Sequence, residues 1–314
     1  MSSFSGPLFV VGMPRSGTKL LRNLLNNHSQ ISIPEHESQF IPAFLKSVQA
    51  ESSPGTWLEY IKTQKFYFNY PSLQDKINTA VLKSKTPAEA IESILKITAP
   101  DSIQPNTIWG DKSPQYLVHM PVLKEYWPAA KFIHVIRDPR DLVLSNRKAW
   151  GRNIYRTAHR WNEKVAVALR DGAELSEDHM HIQYEDLLDS PQETIGELLK
   201  FLGLELEPGM LEVKSKTENY GDAKGETKVV KSNKGKFLKQ LSKSALTKIE
   251  EITFTASQSI GLEYEHGKNQ RVISQNDLKI YKLMDGLNLA KFHIKEKGLV
   301  AGIKYLRSLT FEDS

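Results

Sequence analysis

The run Leu8-Phe9-Val10-Val11-Gly12-Met13-Pro14-Arg15-Ser16-Gly17-Thr18-Lys19-Leu20-Leu21 holds the residue types that bind phosphate. An apolar, strand-like stretch enters a Gly/Pro turn and continues into a helix-like stretch. That order places the unpaired N–H groups of a helix start where an anion can accept them. Arg15, Ser16, Thr18 and Lys19 add charged and hydroxyl donors around the same turn. Gly12 and Gly17 fit the spacing G-x-x-x-x-G-K-[ST], but Thr18-Lys19 reverses its last pair. One helical step turns a side chain by ~100° and lifts it by ~1.5 Å, so Lys19 does not simply replace the lysine that reaches the outer phosphates of ATP. No aspartate for a magnesium ion closes a later apolar strand, since Phe132-Ile133-His134-Val135-Ile136 ends in Arg137. A magnesium-dependent hydrolase or kinase is disfavoured. A bound phosphorylated nucleotide leads over a turn that holds no ligand.

The same layout recurs in Phe132–Asp141, where an apolar stretch gives way to Arg137-Asp138-Pro139-Arg140-Asp141. Ser145 falls about two turns into the following helix, so a guanidinium and a hydroxyl could approach one phosphate from two sides. Taken alone, an arginine in the place of Arg137 is more often part of a structural salt bridge. Two anion sites at strand ends imply a ligand with phosphates at two separated positions.

The elements that position these residues follow from periodicity and caps. Strands are expected at Leu8–Val11, Ile108–Lys112, Lys131–Ile136 and Met180–Tyr184, with the apolar pair Ile31 and Ile33 leading into an acidic loop of Glu35, His36 and Glu37. Helices are expected over about 17–27, through 56–99, and over 117–127, 139–150 and 156–170. Thr86-Pro87-Ala88-Glu89 is a capping box, Ser190-Pro191-Gln192-Glu193 opens a helix by the same logic, and Asp138 is an N-cap. Gly203 stops the helix before it. Strands alternating with helices predict an α/β fold, a central parallel sheet flanked by helices, with ligands at the carboxyl ends of its strands. Residues 214–243 hold nine lysines against three acids and read as a solvated loop or a basic flap over an anionic ligand. Residues 276–309 read as one or two amphipathic helices: a domain edge, a homodimer contact or a lid.

Composition sets the class. The 314 residues are 39% hydrophobic and 25% charged, within the globular range. A net charge of +5 suits anionic ligands without demanding nucleic acid. With no cysteine, disulfides, thiolate catalysis and cysteine-built zinc sites are excluded. Neither a signal-peptide pattern nor an 18-residue apolar run is found, so no transmembrane segment is expected and a cytoplasmic enzyme is the default.

Four segments in order resemble the PAPS-dependent sulfotransferases (PAPS is 3′-phosphoadenosine 5′-phosphosulfate), the group that includes tyrosylprotein and heparan sulfate sulfotransferases and bacterial relatives. Gly12–Leu21 resembles that family's 5′-phosphosulfate loop, and Arg137-Asp138-Pro139-Arg140-Asp141 through Ser145 its 3′-phosphate site. Trp109-Gly110-Asp111-Lys112-Ser113-Pro114 and Tyr184-Glu185-Asp186-Leu187 recur at similar places. Lys19 departs from the commoner second threonine of the loop. The resemblance covers about residues 7–264 and implies a P-loop NTPase-like fold, with a sulfotransferase domain over 1–265 and a C-terminal helical extension over 266–314.

The resemblance implies PAPS as donor, PAP (adenosine 3′,5′-bisphosphate) as product, no metal, and an acceptor hydroxyl on a sugar, lipid, small alcohol or tyrosine. Pro14, Arg15, Ser16, Gly17, Thr18, Lys19, Leu20, Arg137, Ser145, Tyr184, Lys231 and Lys236 are then the donor-binding residues. Arg15 and the backbone N–H groups of Ser16–Thr18 face the leaving 5′-phosphate, Lys112 approaches the sulfuryl group, Asp111 orients Lys112, and Tyr184 meets the adenine. Glu37 matches the family's general base, with Glu35 and then His36 as rivals. A P-loop kinase acting on a small molecule and a non-catalytic nucleotide-binding protein on this fold are the other readings.

Overall fold

The computed structural model describes residues 4–48, 52–100, 104–212 and 230–298. Five parallel strands form one sheet in the order β2-β3-β1-β4-β5: β1 (Leu8–Gly12), β2 (Ile31–Ser32), β3 (Ile108–Lys112), β4 (Lys131–Ile136) and β5 (His179–Gln183). Around the first half of the chain run α1 (Thr18–Leu25), α2 (Ile41–Ser47), α3 (Pro54–Lys62), α4 (Lys65–Phe68), α5 (Gln74–Lys83), α6 (Pro87–Thr98) and α7 (Met120–Tyr126). The second half adds α8 (Pro139–Trp150), α9 (Ile154–Glu174), α10 (Tyr184–Asp189), α11 (Pro191–Leu202), α12 (Phe237–Gln240), α13 (Lys243–Ser259) and α14 (Gln275–Lys297). Among the described residues no helix is long and apolar enough to cross a membrane.

These residues group into two compact units, one from residues up to 136 together with 170–212, the other from 137–169 together with 230–298. In the first, all five residues of β1 are buried, as expected of a central parallel strand covered on both faces. Its side chains alternate between two cores. Leu8 and Val10 join Leu21 and Leu24 of α1, Ile133 and Val135 of β4, and Leu198 of α11. Phe9 turns the other way and stacks on Phe132 with centroids 5.5 Å apart. The register sets Val10 beside Lys112, Gly12 beside Val135 and Ile136 beside Gln183. The carboxyl ends of β1, β3, β4 and β5 therefore share one edge of the sheet.

In the second unit α8 packs with α12, α13 and α14. Val143, Ala158, Ile249, Ile252 and Ile273 form one apolar cluster, and Leu144, Phe237 and Leu246 another.

Several boundaries differ from the sequence expectation. The two-residue β2 adds an edge strand, too short to show a period. The expected helix at 117–127 is a 3₁₀ turn, Pro114–Val118, followed by α7; Pro121 lacks an N–H and restarts the helix. Tyr184 opens α10 rather than ending β5. Thr86 caps α6 by accepting from Glu89 N–H, and Asp138 caps α8 by accepting from Arg140 N–H, but Ser190 makes no side-chain cap. Residues 213–229 of the basic stretch and 299–314 of the tail lie outside the described residues.

His134 of β4 is wholly buried, and neither ring nitrogen has a hydrogen-bond partner among the described residues. Burial, then the neighbouring His179 and His181, holds its pKa down to about 3, and burial holds His179 down to about 4. The unfolded chain takes up these protons near pH 6.5, so their contribution to stability is present above that pH and falls as pH drops below it. His134→Phe removes one such group and its unpaired nitrogens. The variant is expected to be more stable than the parent by about 1 kcal/mol at pH 7, with a gap that widens as pH falls from 6.5 towards 4. Urea titrations of both proteins across that range measure it; a gap that stays constant or narrows would contradict the role given to His134.

Candidate functional site

The turn after β1 leads from a buried strand directly into the N-terminus of α1. Gly12 has φ 157°, and a Cβ there would meet Val135 O at 2.5 Å, so the backbone passes against β4. Gly17 caps α1 with φ 93°, and a Cβ on it would enter the Tyr184 ring. Arg15 also holds a left-handed conformation, φ 79°, which a non-glycine residue adopts only when its surroundings impose it. Ser16 N–H donates to Met13 O at 3.0 Å and is consumed by the turn, which corrects the expectation that this amide faces a ligand. The first helical bond, Leu21 N–H to Gly17 O, leaves the amides of Thr18, Lys19 and Leu20 ahead of the helix ladder. No acid occupies the first turn of α1. Ser16 Oγ is fully buried with no partner among the described residues.

Glu37 and Lys112, seventy-five positions apart, meet directly: Lys112 Nζ donates to Glu37 Oε1. Gln39 Nε2 donates to Glu37 Oε2 at 2.6 Å. Lys112 is 5% exposed at the end of β3, and the Glu37 side chain is 29% exposed, so the carboxylate remains reachable from outside. The rival Glu35 is exposed and contributes its carbonyl rather than its carboxylate to the described contacts. His36 lies edge-on to the Tyr70 ring, with centroids 5.3 Å apart.

Three groups unnoticed in the sequence hold Glu37 in place. Arg22 of α1, 3% exposed, donates to Pro34 O at 3.0 Å and Glu35 O at 2.5 Å, and to Asn23 Oδ1 at 2.6 Å. Asn26 exchanges hydrogen bonds with Ile33, donating to its carbonyl at 2.8 Å and accepting its N–H at 2.9 Å. Tyr116 hydroxyl sits 2.7 Å from Ser38 Oγ and accepts Ile41 N–H at 3.0 Å. Asp111 accepts Ser38 N–H at 3.2 Å, so it positions the loop of Glu37 rather than the Lys112 side chain expected of it. Burial raises the Asp111 carboxyl to about 6, against the lowering pull of its Ser113 and Ser38 hydrogen bonds.

In the second unit the Arg137–Asp141 segment divides its labour. Arg137, 4% exposed, donates to Asn233 O at 2.8 Å, and Lys236 Nζ donates to Asn233 Oδ1 at 2.6 Å. Asn233, another residue with no sequence signal, thus joins two of the expected donor-binding side chains. Arg140 pairs with Asp138 at 2.7 Å and with buried Glu250 at 3.0 Å. Asp141 accepts Gly235 N–H at 2.5 Å and Phe237 N–H at 3.1 Å, which fixes the loop carrying Lys236. Ser145 is half-buried on α8. Lys231 is exposed and is not brought onto Asn233 by any described bond.

The weight placed on Arg22 is measurable. Arg22→Met keeps the buried stem and removes every donor, leaving the Pro34 and Glu35 carbonyls unmatched. A loss of about 3 kcal/mol in stability is expected. Chemical denaturation checks it, and a change under about 0.5 kcal/mol, the scale of an ordinary surface substitution, would contradict the fastening role.

A profile of the Sulfotransferase family matches residues 7–208. Protein-tyrosine sulfotransferase 2 of Gallus gallus is 27% identical over 205 residues, which cover 63% of this chain and 51% of that protein. The chain therefore spans about half the length of that relative. The sulfotransferase domain from the curacin biosynthetic pathway shares the fold with a TM-score of 0.55 at 22% identity, over 84% of this chain and 100% of that one. The sulfotransferase domain of the Synechococcus PCC 7002 olefin synthase does so with a TM-score of 0.58 at 19% identity, over 84% of this chain and 98% of that one. With the family profile spanning well over half of its length, the chain belongs to the sulfotransferase family.

Proposed function

We propose that the chain transfers a sulfuryl group from PAPS to an acceptor hydroxyl, with Glu37 as general base. The observation that carries this reading is the meeting of Glu37 with Lys112 at the carboxyl end of β3, on the sheet edge where the Gly12–Gly17 turn lies. The donor set fits the 5′ end of such a nucleotide: the amides ahead of the α1 ladder, an acid-free first turn, and the buried hydroxyl of Ser16 without a partner among the described residues.

Pro14, Arg15, Ser16, Gly17, Thr18, Lys19 and Leu20 would hold the 5′-phosphosulfate, and Arg137 and Ser145 the 3′-phosphate. Tyr184 would meet the adenine, and Lys236 with Lys231 would add cationic cover. When bound, PAPS supplies the sulfuryl group together with its leaving phosphate. Glu37 accepts the acceptor's hydroxyl proton as the new O–S bond forms, and Arg15 offsets the charge that accumulates where the old S–O bond breaks. Lys112 holds Glu37 in register and places one cation beside the transferring group. The name of the Gallus gallus relative makes a tyrosine hydroxyl the first acceptor to try, beside sugar and alcohol hydroxyls.

Glu37→Gln keeps shape and hydrogen bonding but cannot take the proton. It is expected to bind PAP as the parent does and to lose on the order of 10²–10⁴ in transfer rate. Glu35→Gln is expected to lose much less. The measurement is transfer from PAPS across an acceptor panel, with PAP binding as the control for each variant. An active Glu37→Gln beside an inactive Glu35→Gln would move the base to the other carboxylate; full activity in both would remove the glutamate mechanism.

A further inference from the structure

Helix α14 has apolar side chains on two faces, and among the described residues only one of them is packed. On the packed face Asp285, 3% exposed, accepts Asn153 N–H at 2.6 Å and pairs with Arg156 at 2.5 Å. Asn288 Nδ2 donates to Gly151 O at 2.7 Å, and Tyr281 lies against Tyr155 with centroids 6.0 Å apart. A buried ion pair and two further fastenings fix the rotation of the helix about its axis, so it cannot turn to hide its other face.

That other face carries Ile280, Leu283, Met284, Leu287 and Ile294, exposed by 55%, 67%, 45%, 51% and 38%. At 3.6 residues per turn these five fall within an arc of ~100° and extend over ~21 Å of helix. Lys291 lies inside the arc and Lys279 and Lys295 on its two borders, all three exposed. Between Asp277 and Lys295 the sequence holds four lysines and two acids: Asp285 is turned inward onto Arg156, and exposed Asp277 shares the angular position of Lys295 on one border of the arc. The exposed face is thus aliphatic with a net positive border, three lysines against Asp277.

We propose that this face of α14 docks the protein on a membrane surface carrying anionic lipid headgroups. Its aliphatic side chains would enter the boundary between headgroups and acyl chains, while the lysines extend their stems and keep their ammonium groups among the headgroups. The charge pattern argues against a second copy of the same helix. An antiparallel pair centred on Leu287 would lay Ile280 over Ile294, but it would also set Lys279 against Lys295 and seat Lys291 on Leu283. A parallel pair would set each lysine against itself. A convex helix face also needs no groove on a fluid bilayer, whereas a protein partner must supply one. Docking of this kind is independent of the sulfuryl-transfer reading and stands or falls on binding alone.

The experiment is co-sedimentation of the full chain with vesicles of phosphatidylcholine alone and of phosphatidylcholine mixed with phosphatidylglycerol, beside sedimentation velocity of the free protein. Binding is expected to the mixed vesicles only, and to weaken as salt is raised. Leu283→Ser with Leu287→Ser is expected to weaken it at least tenfold with the melting temperature kept, since both side chains are exposed. Replacing Lys279, Lys291 and Lys295 by Gln is expected to weaken it about a hundredfold, at roughly fivefold per lysine. Equal binding to both vesicle types would overturn the charge argument, and mixed-vesicle binding untouched by either variant would overturn the assignment to α14. A chain that ignores the vesicles overturns the proposal outright; a dimer dispersed by Leu287→Ser would then give the face to a second copy, and a monomer to a protein partner.

Discussion

A buried guanidinium has to be satisfied by whatever the fold can bring to it, and Arg22 is the place where this chain meets that constraint. It is 3% exposed, and among the described residues no carboxylate pairs with it. Burial works against its charge, and the electrostatic influence of Glu35 and of other acidic groups supports it. Its donors are matched by the carbonyls of Pro34 and Glu35 and by the Asn23 side chain. The loop after β2 must therefore lie on α1. Because the turn before α1 is the candidate anion site, one helix sets both the donors for a phosphate and the path of the segment bearing Glu37. Asn26 repeats the fastening one turn later.

From the opposite side, β3 completes the placement of Glu37. Lys112 reaches its carboxylate, and the neighbouring Asp111 takes Ser38 N–H. A wholly buried carboxyl raised to about 6 is an expensive way to hold one amide; its hydrogen bonds to Ser113 and Ser38 support the charge, and burial and the neighbouring Glu37 carboxylate work against it. Such groups are retained where a loop must adopt one conformation. In the second unit the same principle orders the Arg137–Asp141 segment: Asp138 and Glu250 engage Arg140, Asp141 engages two amides of the 235–237 loop, and Asn233 gathers Arg137 and Lys236. Charges that look alike in the sequence divide into those paired with one another, as Arg140 with Asp138 and Glu250, and those gathered on Asn233.

What the sequence made legible is what depends on short-range pattern. The apolar run into Gly12, the buried runs of β3 and β4, the Thr86 and Asp138 caps and the parallel sheet all follow from periodicity and turn chemistry. Glu37 and Lys112 were picked out by motif, and the fold brings them together. Arg22 and Asn26 were invisible because they bond to backbone carbonyls and amides, which any sequence supplies, and Asn233 because no motif marks an asparagine as the shared acceptor of Arg137 and Lys236. Ser16 shows the opposite error: its amide looked available at a helix start, but a tight turn on Met13 takes it. Asp111 was assigned to the lysine beside it in sequence, while its partner lies on another loop. Ser190 resembles a cap in sequence, yet its side chain makes no cap bond.

A central parallel strand ends in a tight turn, α1 starts free of acids, and a lysine holds the Glu37 carboxylate, the three features on which the proposed transfer rests. The central claim is that the donor carries phosphate at its 3′ as well as its 5′ end. Titration calorimetry of the unmodified chain with PAP and with adenosine 5′-monophosphate tests it directly. A phosphate met by Arg137 and Ser145 adds charge-assisted hydrogen bonds of about 1.5–3 kcal/mol, so PAP is predicted to bind some ten- to a hundredfold tighter. Equal affinities, or tighter binding of magnesium-ATP than of PAP, would contradict the account.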